Sequence, residues 1–190
     1  MRLSNGRIEK FHISKETAQF EANKLVRLHS MGLAVPKVLS AKDNIIIMEY
    51  IDAAPLPDLI DVWENKLCSS SQELAAKGVI DWLAKYYIAV DNANTGITRG
   101  DINGRNFLFD GKKVWGIDFE EQACGTIIED IGQLLAFVLT YDPKNTPLKK
   151  DLASIMANQA VKNFNFNLDD ILTEQSKQIK IMENRRKLRN

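Results

Sequence analysis

The 190-residue chain carries 25 Lys and Arg against 25 Asp and Glu, with 45% hydrophobic and 26% charged residues. This length is enough for one ordinary domain or for two lobes sharing an interface, and the composition is that of a folded globular chain. Zero formal net charge excludes a global field directed at nucleic acid or an acidic membrane.

The two cysteines, Cys68 and Cys124, have neither metal-ligand spacing nor the density of a disulfide scaffold. No apolar run approaches the roughly 18 residues of a membrane span, and Met1-Arg2-Leu3-Ser4 leads into charged sequence without the apolar core of a signal peptide. The expectation is a reduced, cytoplasmic protein.

In chain order, Asn5-Gly6 separates Met1–Ser4 from Arg7–His12 and predicts a tight hairpin, because Asn-Gly accepts the positive φ angles of a type I′ turn. Ser14 caps a predicted helix from Lys15 to Met31, in which Ala18, Ala22, Leu25 and Leu28 form one apolar stripe. Gly32 and Pro36 end it. Val38–Ala41 and Ile45–Tyr50 read as strands around Lys42-Asp43-Asn44, with Ile45–Met48 apolar enough to be covered on both faces.

The composition then changes at Asp52-Ala53-Ala54-Pro55-Leu56-Pro57, which predicts a hinge between an N-terminal lobe, 1–51, and a C-terminal lobe, 52–190. Helices follow at Asp58–Leu67 and Gln72–Val90, the latter with Leu74, Val79, Leu83, Tyr86, Tyr87 and Val90 inward. Phe107–Phe109 and Val114–Ile117 flank Asp110-Gly111, a hairpin signal. Helices at Ile128–Thr140, Leu148–Phe164 and Leu168–Leu188 complete an α+β chain whose second part is mostly helical.

Two stretches carry chemistry: Arg99-Gly100-Asp101-Ile102-Asn103-Gly104-Arg105-Asn106, and Gly116-Ile117-Asp118-Phe119-Glu120. Asp101 and Asn106 stand five apart in a loop before the hairpin, and Asp118 follows the second hairpin strand. That arrangement can return a carboxylate and an amide oxygen to one side, where they suit a hard cation such as Mg²⁺. Phosphoryl transfer requires such a set, with a carboxylate beside the attacking hydroxyl and a positioned cation.

These motifs resemble the catalytic loop and metal motif of the protein-kinase-like superfamily, Asp-x-x-x-x-Asn and Asp-Phe-Gly. Gly before Asp101, and Glu after Asp118-Phe119, are more similar to its atypical small kinases. These are aminoglycoside and choline phosphotransferases, lipopolysaccharide sugar kinases and the kinase of the tRNA-modification complex. The resemblance implies a bilobal fold with a reduced N-terminal lobe, ATP and Mg²⁺ as cofactors, Asp101 as catalytic base, and Asn106 and Asp118 as metal ligands.

On the same template Lys10, preferred to Arg7, touches the ATP phosphates and Glu21 pairs with it. Glu49, Tyr50 and Ile51 form the hinge segment that meets adenine. Asp130, in Glu129-Asp130-Ile131-Gly132, steadies the catalytic loop. The resemblance runs from Arg7 to Leu139. Nine residues precede Lys10, so the family's Gly-rich loop is not placed on this chain, and Arg99 stands where the family usually has His.

The implied activity is ATP-dependent phosphotransfer to a hydroxyl. About ten residues separate Phe119 from Asp130, too short for a peptide-docking activation segment, which favours a small-molecule, sugar or self-directed acceptor. The alternatives are a catalytically weak nucleotide-binding scaffold and an RNA-associated ATPase. The stretch Lys177–Arg189 has six cations and one acid. It reads first as a solvated helix end, and otherwise as an arm touching RNA phosphates. His12 and His29 read as ordinary polar residues, and Trp63, Trp82 and Trp115 as core.

Overall fold

The computed structural model describes residues 2–4, 6–64, 70–121 and 123–187. Its first sheet has the order β1-β2-β4-β3, all antiparallel, from β1 (Arg2–Ser4), β2 (Arg7–Phe11), β3 (Val38–Lys42) and β4 (Ile45–Glu49). The expected first hairpin forms, with Asn5 of its turn outside the described residues. Helix α1 (Lys15–Ser30) starts at a capping box in which Ser14 and Thr17 exchange side-chain-to-backbone bonds. Its buried stripe is the expected Ala18, Ala22, Leu25 and Leu28, with Glu21 added.

Strand β4 does not bury both faces. Ile46 and Met48 are buried whereas Ile45 and Ile47 are only half-covered, because α1 packs on one side of the sheet. A bulge between Val38 and Ser40 shifts the register of β3, whose residues after Val38 are exposed.

After the hinge, β5 (Ala54–Pro55) precedes α2 (Leu56–Glu64), which begins two residues before the expected Asp58. Pro57 falls in the first turn, where a missing N–H costs nothing. The predicted end of that helix, with Cys68, lies outside the described residues. Helix α3 (Ser70–Ala89) buries Val79, Leu83, Tyr86 and Tyr87 as expected; Leu74, 47% exposed, faces solvent instead. Short elements that the sequence did not announce come next: α4 (Asn92–Thr95) and β6 (Ile97–Thr98), the latter paired with β9 (Ala123–Cys124).

The hairpin of β7 (Phe107–Phe109) and β8 (Val114–Gly116) forms around Asp110-Gly111, where Asp110 accepts the backbone N–H groups of Lys112 and Lys113. Trp115 is half-buried rather than core, with Lys113 Nζ 3.9 Å from its ring centroid. Trp63 and Trp82 are core. Helix α5 (Ile127–Thr140) begins with a Thr126–Glu129 capping box, α6 (Pro147–Phe164) with Thr146 and Pro147, and α7 (Leu168–Lys187) packs along α5.

The carbonyl of Ala34 ties the two parts together, accepting from Gly116 N at 3.0 Å and Trp82 Nε1 at 2.9 Å. Among the described residues no helix is long and apolar enough to cross a membrane. On α7, Lys177 pairs with Glu174 at 3.1 Å, and Arg186 donates to Thr140 O at 3.1 Å. Part of that basic run is therefore turned onto the protein itself.

Candidate active site

A cleft of about 500 Å³ lies between the first sheet and the helical part. Lys10, Glu21, Glu49, Tyr50, Ile51, Asp101, Asn106 and Asp118, all singled out from the sequence, lie in its wall. They come from five separate segments, so their meeting is a property of the fold.

Lys10 is delivered by β2 and Glu21 by the second turn of α1. Lys10 Nζ lies 2.8 Å from Glu21 Oε2, 2.8 Å from Asp118 Oδ1 and 2.9 Å from Glu120 Oε1. Arg7, the competing cation on the same strand, is exposed, whereas Lys10 is buried. Burial by itself would lower the Lys10 pKa; the Glu21 charge and the bonds to Asp118, Glu21 and Glu120 outweigh it and raise it to about 12. Lys10 is thus a fixed cation at every physiological pH.

Glu21 is 1% exposed, and one of its oxygens also accepts the backbone N–H of Phe119 at 2.8 Å. Helix α1 and the Asp118-Phe119 turn are locked to each other through this carboxylate. His12 departs from the sequence reading. It is buried, with Nε2 3.1 Å from Glu21 Oε2 and Nδ1 3.6 Å from Glu120 Oε1. Glu120 was also missed as a partner of Lys10. The available signal was a second carboxylate two positions after Asp118.

Asp118 adopts φ +61°, a left-handed conformation uncommon for a residue with a Cβ and one that clusters at functional sites. The turn is held from behind. Arg99 Nη2 donates to Ile117 O at 2.9 Å, and its guanidinium carbon lies 4.3 Å from the Phe119 ring centroid. Asp130 accepts Arg99 N at 2.8 Å and Tyr87 Oη at 2.7 Å, so the aspartate on α5 steadies the loop as the resemblance implied. Burial raises the Asp130 pKa, and the bonds from Arg99 and Tyr87 oppose that rise.

In the loop Arg99–Asn106, Asn106 is buried and Asp101 is exposed to the cleft. Asn106 Nδ2 donates to Asp101 O at 3.0 Å, leaving its Oδ1 end as an acceptor. Asn103 Nδ2 lies 3.0 Å from both carboxylate oxygens of Asp101 and so orients that group. Asp118 binds Lys10 through Oδ1, and its other oxygen is available. Amide and carboxylate oxygens are what Mg²⁺ takes. The cleft supplies them with an excess of acids, since Glu21, Asp101, Asp118 and Glu120 outnumber Lys10 and Arg105. The donor set fits a hard divalent cation.

The solved structure of the gentamicin–APH(2″)-IIa complex is similar to this chain with a TM-score of 0.58 at 12% identity, over 90% of this chain and 74% of that one. At that identity the likeness shows the fold, which is protein-kinase-like. The RIO domain model matches residues 2–136, a span that takes in the first sheet, α1, the loop Arg99–Asn106 and the Asp118 turn. The chain carrying this cleft belongs to the RIO domain family, a kinase-type phosphotransferase family.

Proposed function

We propose that the protein is an Mg²⁺-dependent ATP phosphotransferase acting on a hydroxyl of a small molecule, a sugar or the protein itself. The single observation that carries this is the set of Lys10, Glu21, Asp101, Asn106 and Asp118 in one cleft, with Lys10 held at 2.8 Å by both Glu21 and Asp118. Adenine meets the hinge segment Glu49–Ile51, beside the apolar Ile8, Met48 and Leu108 of the cleft wall. Lys10 orients the phosphates, and Glu21 keeps it extended into the cleft.

Asp101, fixed by Asn103, accepts a hydrogen bond from the acceptor hydroxyl and takes its proton as the hydroxyl oxygen bonds the γ-phosphorus of ATP and the bond from that phosphorus to the β–γ bridging oxygen breaks, releasing ADP. Asn106 and Asp118 hold Mg²⁺, which when bound neutralises the β- and γ-phosphates. The short connection from Phe119 to α5, whose described residues include the two-residue β9, supports a small acceptor over a docked peptide. Residues 1–51 and 52–190 serve as the two lobes that close on the nucleotide.

The test is single-turnover transfer from ATP with Asp101→Asn and Asp118→Ala. Asp101→Asn should retain nucleotide binding and lose roughly 10²–10⁴-fold in rate. Asp118→Ala should lose the Mg²⁺-dependent part of ATP affinity. Unchanged turnover in both variants overturns the mechanism, and tight Mg-ATP binding without turnover in the parent protein assigns a nucleotide-binding scaffold instead.

A further inference from the structure

A second concavity, of about 680 Å³, shares no lining residue with the cleft. One wall is a face of α3 on which Leu74, Lys77, Asp81 and Lys85 recur at helical spacing. The other is the β7–β8 turn with Trp115, and the segment Gly32–Ala34 after α1 completes the lining. A Cβ on Gly78 would meet Val114 Cγ2 at 2.9 Å, so α3 and β8 are as close as side chains allow. Ala34 O, bonded by both Gly116 N and Trp82 Nε1, ties the third segment to them. The concavity is preformed, which spares a ligand the cost of ordering it.

Its lining joins apolar surface to positive charge. Lys77 is paired with Glu73. Lys85, Lys112 and Lys113 are exposed, and among the described residues none of the three has a carboxylate partner. The acids at hand are committed: Asp81 accepts from Gln159 and Asn163, and Asp110 from Trp115 Nε1 and two backbone N–H groups. The chain as a whole is neutral, so this excess is local and opposite in sign to the acid-rich cleft. Single exposed apolar residues are ordinary on a surface. Here Leu74, 47% exposed, and the half-buried Trp115 lie in one concavity with three free cations, next to the buried Leu33 and Val114. A nucleic acid strand would bring phosphates, but its bases need an open aromatic face. The Trp115 indole is covered by Lys113 Nζ, 3.9 Å from its centroid, and tied through Nε1 to Asp110 at 2.9 Å. An aliphatic side chain flanked by carboxylates complements both halves of the lining.

We propose that this groove docks an acidic linear segment of a partner protein. An aliphatic side chain of that segment sits against Leu74 and Trp115, and its carboxylates meet Lys85, Lys112 and Lys113. The charges select and steer the segment, and the apolar anchor fixes its register.

The probe is a fluorescein-labelled peptide with the repeat Glu-Glu-Leu, read by fluorescence anisotropy with the full chain and no nucleotide. It should bind saturably, and roughly tenfold more weakly to the double variant Lys85→Glu/Lys112→Glu and to Leu74→Ser. Peptides of the same length with the repeats Glu-Glu-Gly, which lacks the anchor, and Lys-Lys-Leu should also bind roughly tenfold more weakly or not at all. The substituted side chains are exposed, and unchanged melting temperatures show that the variants are folded. No saturable binding of the Glu-Glu-Leu peptide, equal binding of the Lys-Lys-Leu peptide, or equal affinity in Lys85→Glu/Lys112→Glu overturns the proposal. Tighter binding of oligouridylate than of the peptide, lost in the same double variant, overturns it too and assigns the groove to RNA. With nucleotide absent, none of these outcomes depends on phosphotransfer.

Discussion

Lys10 and Glu21, a strand residue and a helix residue eleven positions apart, meet at 2.8 Å in a setting where the carboxylate is 1% exposed. Replacing Lys10 by Met should lower phosphotransfer roughly 10²–10³-fold, as expected for loss of one preorganised charge partner. The pH sign follows from the raised pKa. The ion pairing contributes fully below about 10.5 and is lost as pH rises through about 12. Alkaline melting of the parent between those values should therefore be steeper than that of Lys10→Met, measured by thermal denaturation across pH.

Glu120 gives an opposite expectation. It is half-exposed and pairs at 2.9 Å with Lys10, the cation that the proposed mechanism assigns to the nucleotide phosphates. Glu120→Gln removes one negative charge from a cleft already rich in acids, so ATP should bind more tightly in the absence of Mg²⁺, by up to about tenfold. Calorimetry with EDTA present reads this directly; weaker binding would mean that Glu120 orients Lys10 rather than occupying it.

Gly116 is the residue against which Trp82 packs. A Cβ there would meet the indole ring at 2.1 Å, and Trp82 cannot retreat, since it bonds Ala34 O and stacks on Tyr86 at 5.6 Å. Gly116→Ala should cost about 3 kcal/mol, near the upper end of ordinary overpacking. Chemical denaturation is the measurement.

The α5 capping box offers a milder test. Thr126 and Glu129 satisfy each other's backbone N–H groups at the start of the helix that carries Asp130. Thr126→Ala should cost about 1 kcal/mol, and Thr126→Ser much less. Because Asp130 lies in that same first turn, the alanine variant should also lose some turnover.

The elements carrying the site were legible because they announce themselves locally: Ser14 before α1 and Asp110-Gly111 between β7 and β8. Lys10, Glu21, Asp101, Asn106 and Asp118 could therefore be assigned to definite strands, turns and helices, and the cleft brings them together. His12 and Glu120 could not be placed in this way. Their roles come from contacts that form only after folding, such as Lys10 Nζ with Glu120 Oε1 at 2.9 Å. Leu74 misled because helical periodicity identifies an apolar position without showing whether a neighbour covers it. The two-residue β6 and β9 are too short to leave any pattern.

Helix α5 is sheathed by α6 and α7. Gly132 sits so close to α7 that a methyl group there would strike the Glu174 backbone at 3.0 Å, and Ile171, Met156 and Ala160 are sealed against solvent. Family similarity stops at residue 136, yet the last two helices form the outer wall on which α5 rests. Trimming the chain at that boundary would strip one flank of the helix that anchors Arg99 through Asp130. Damage begun at the tail would then travel inward to the loop that carries Asp101, although no described residue of the tail lines the cleft.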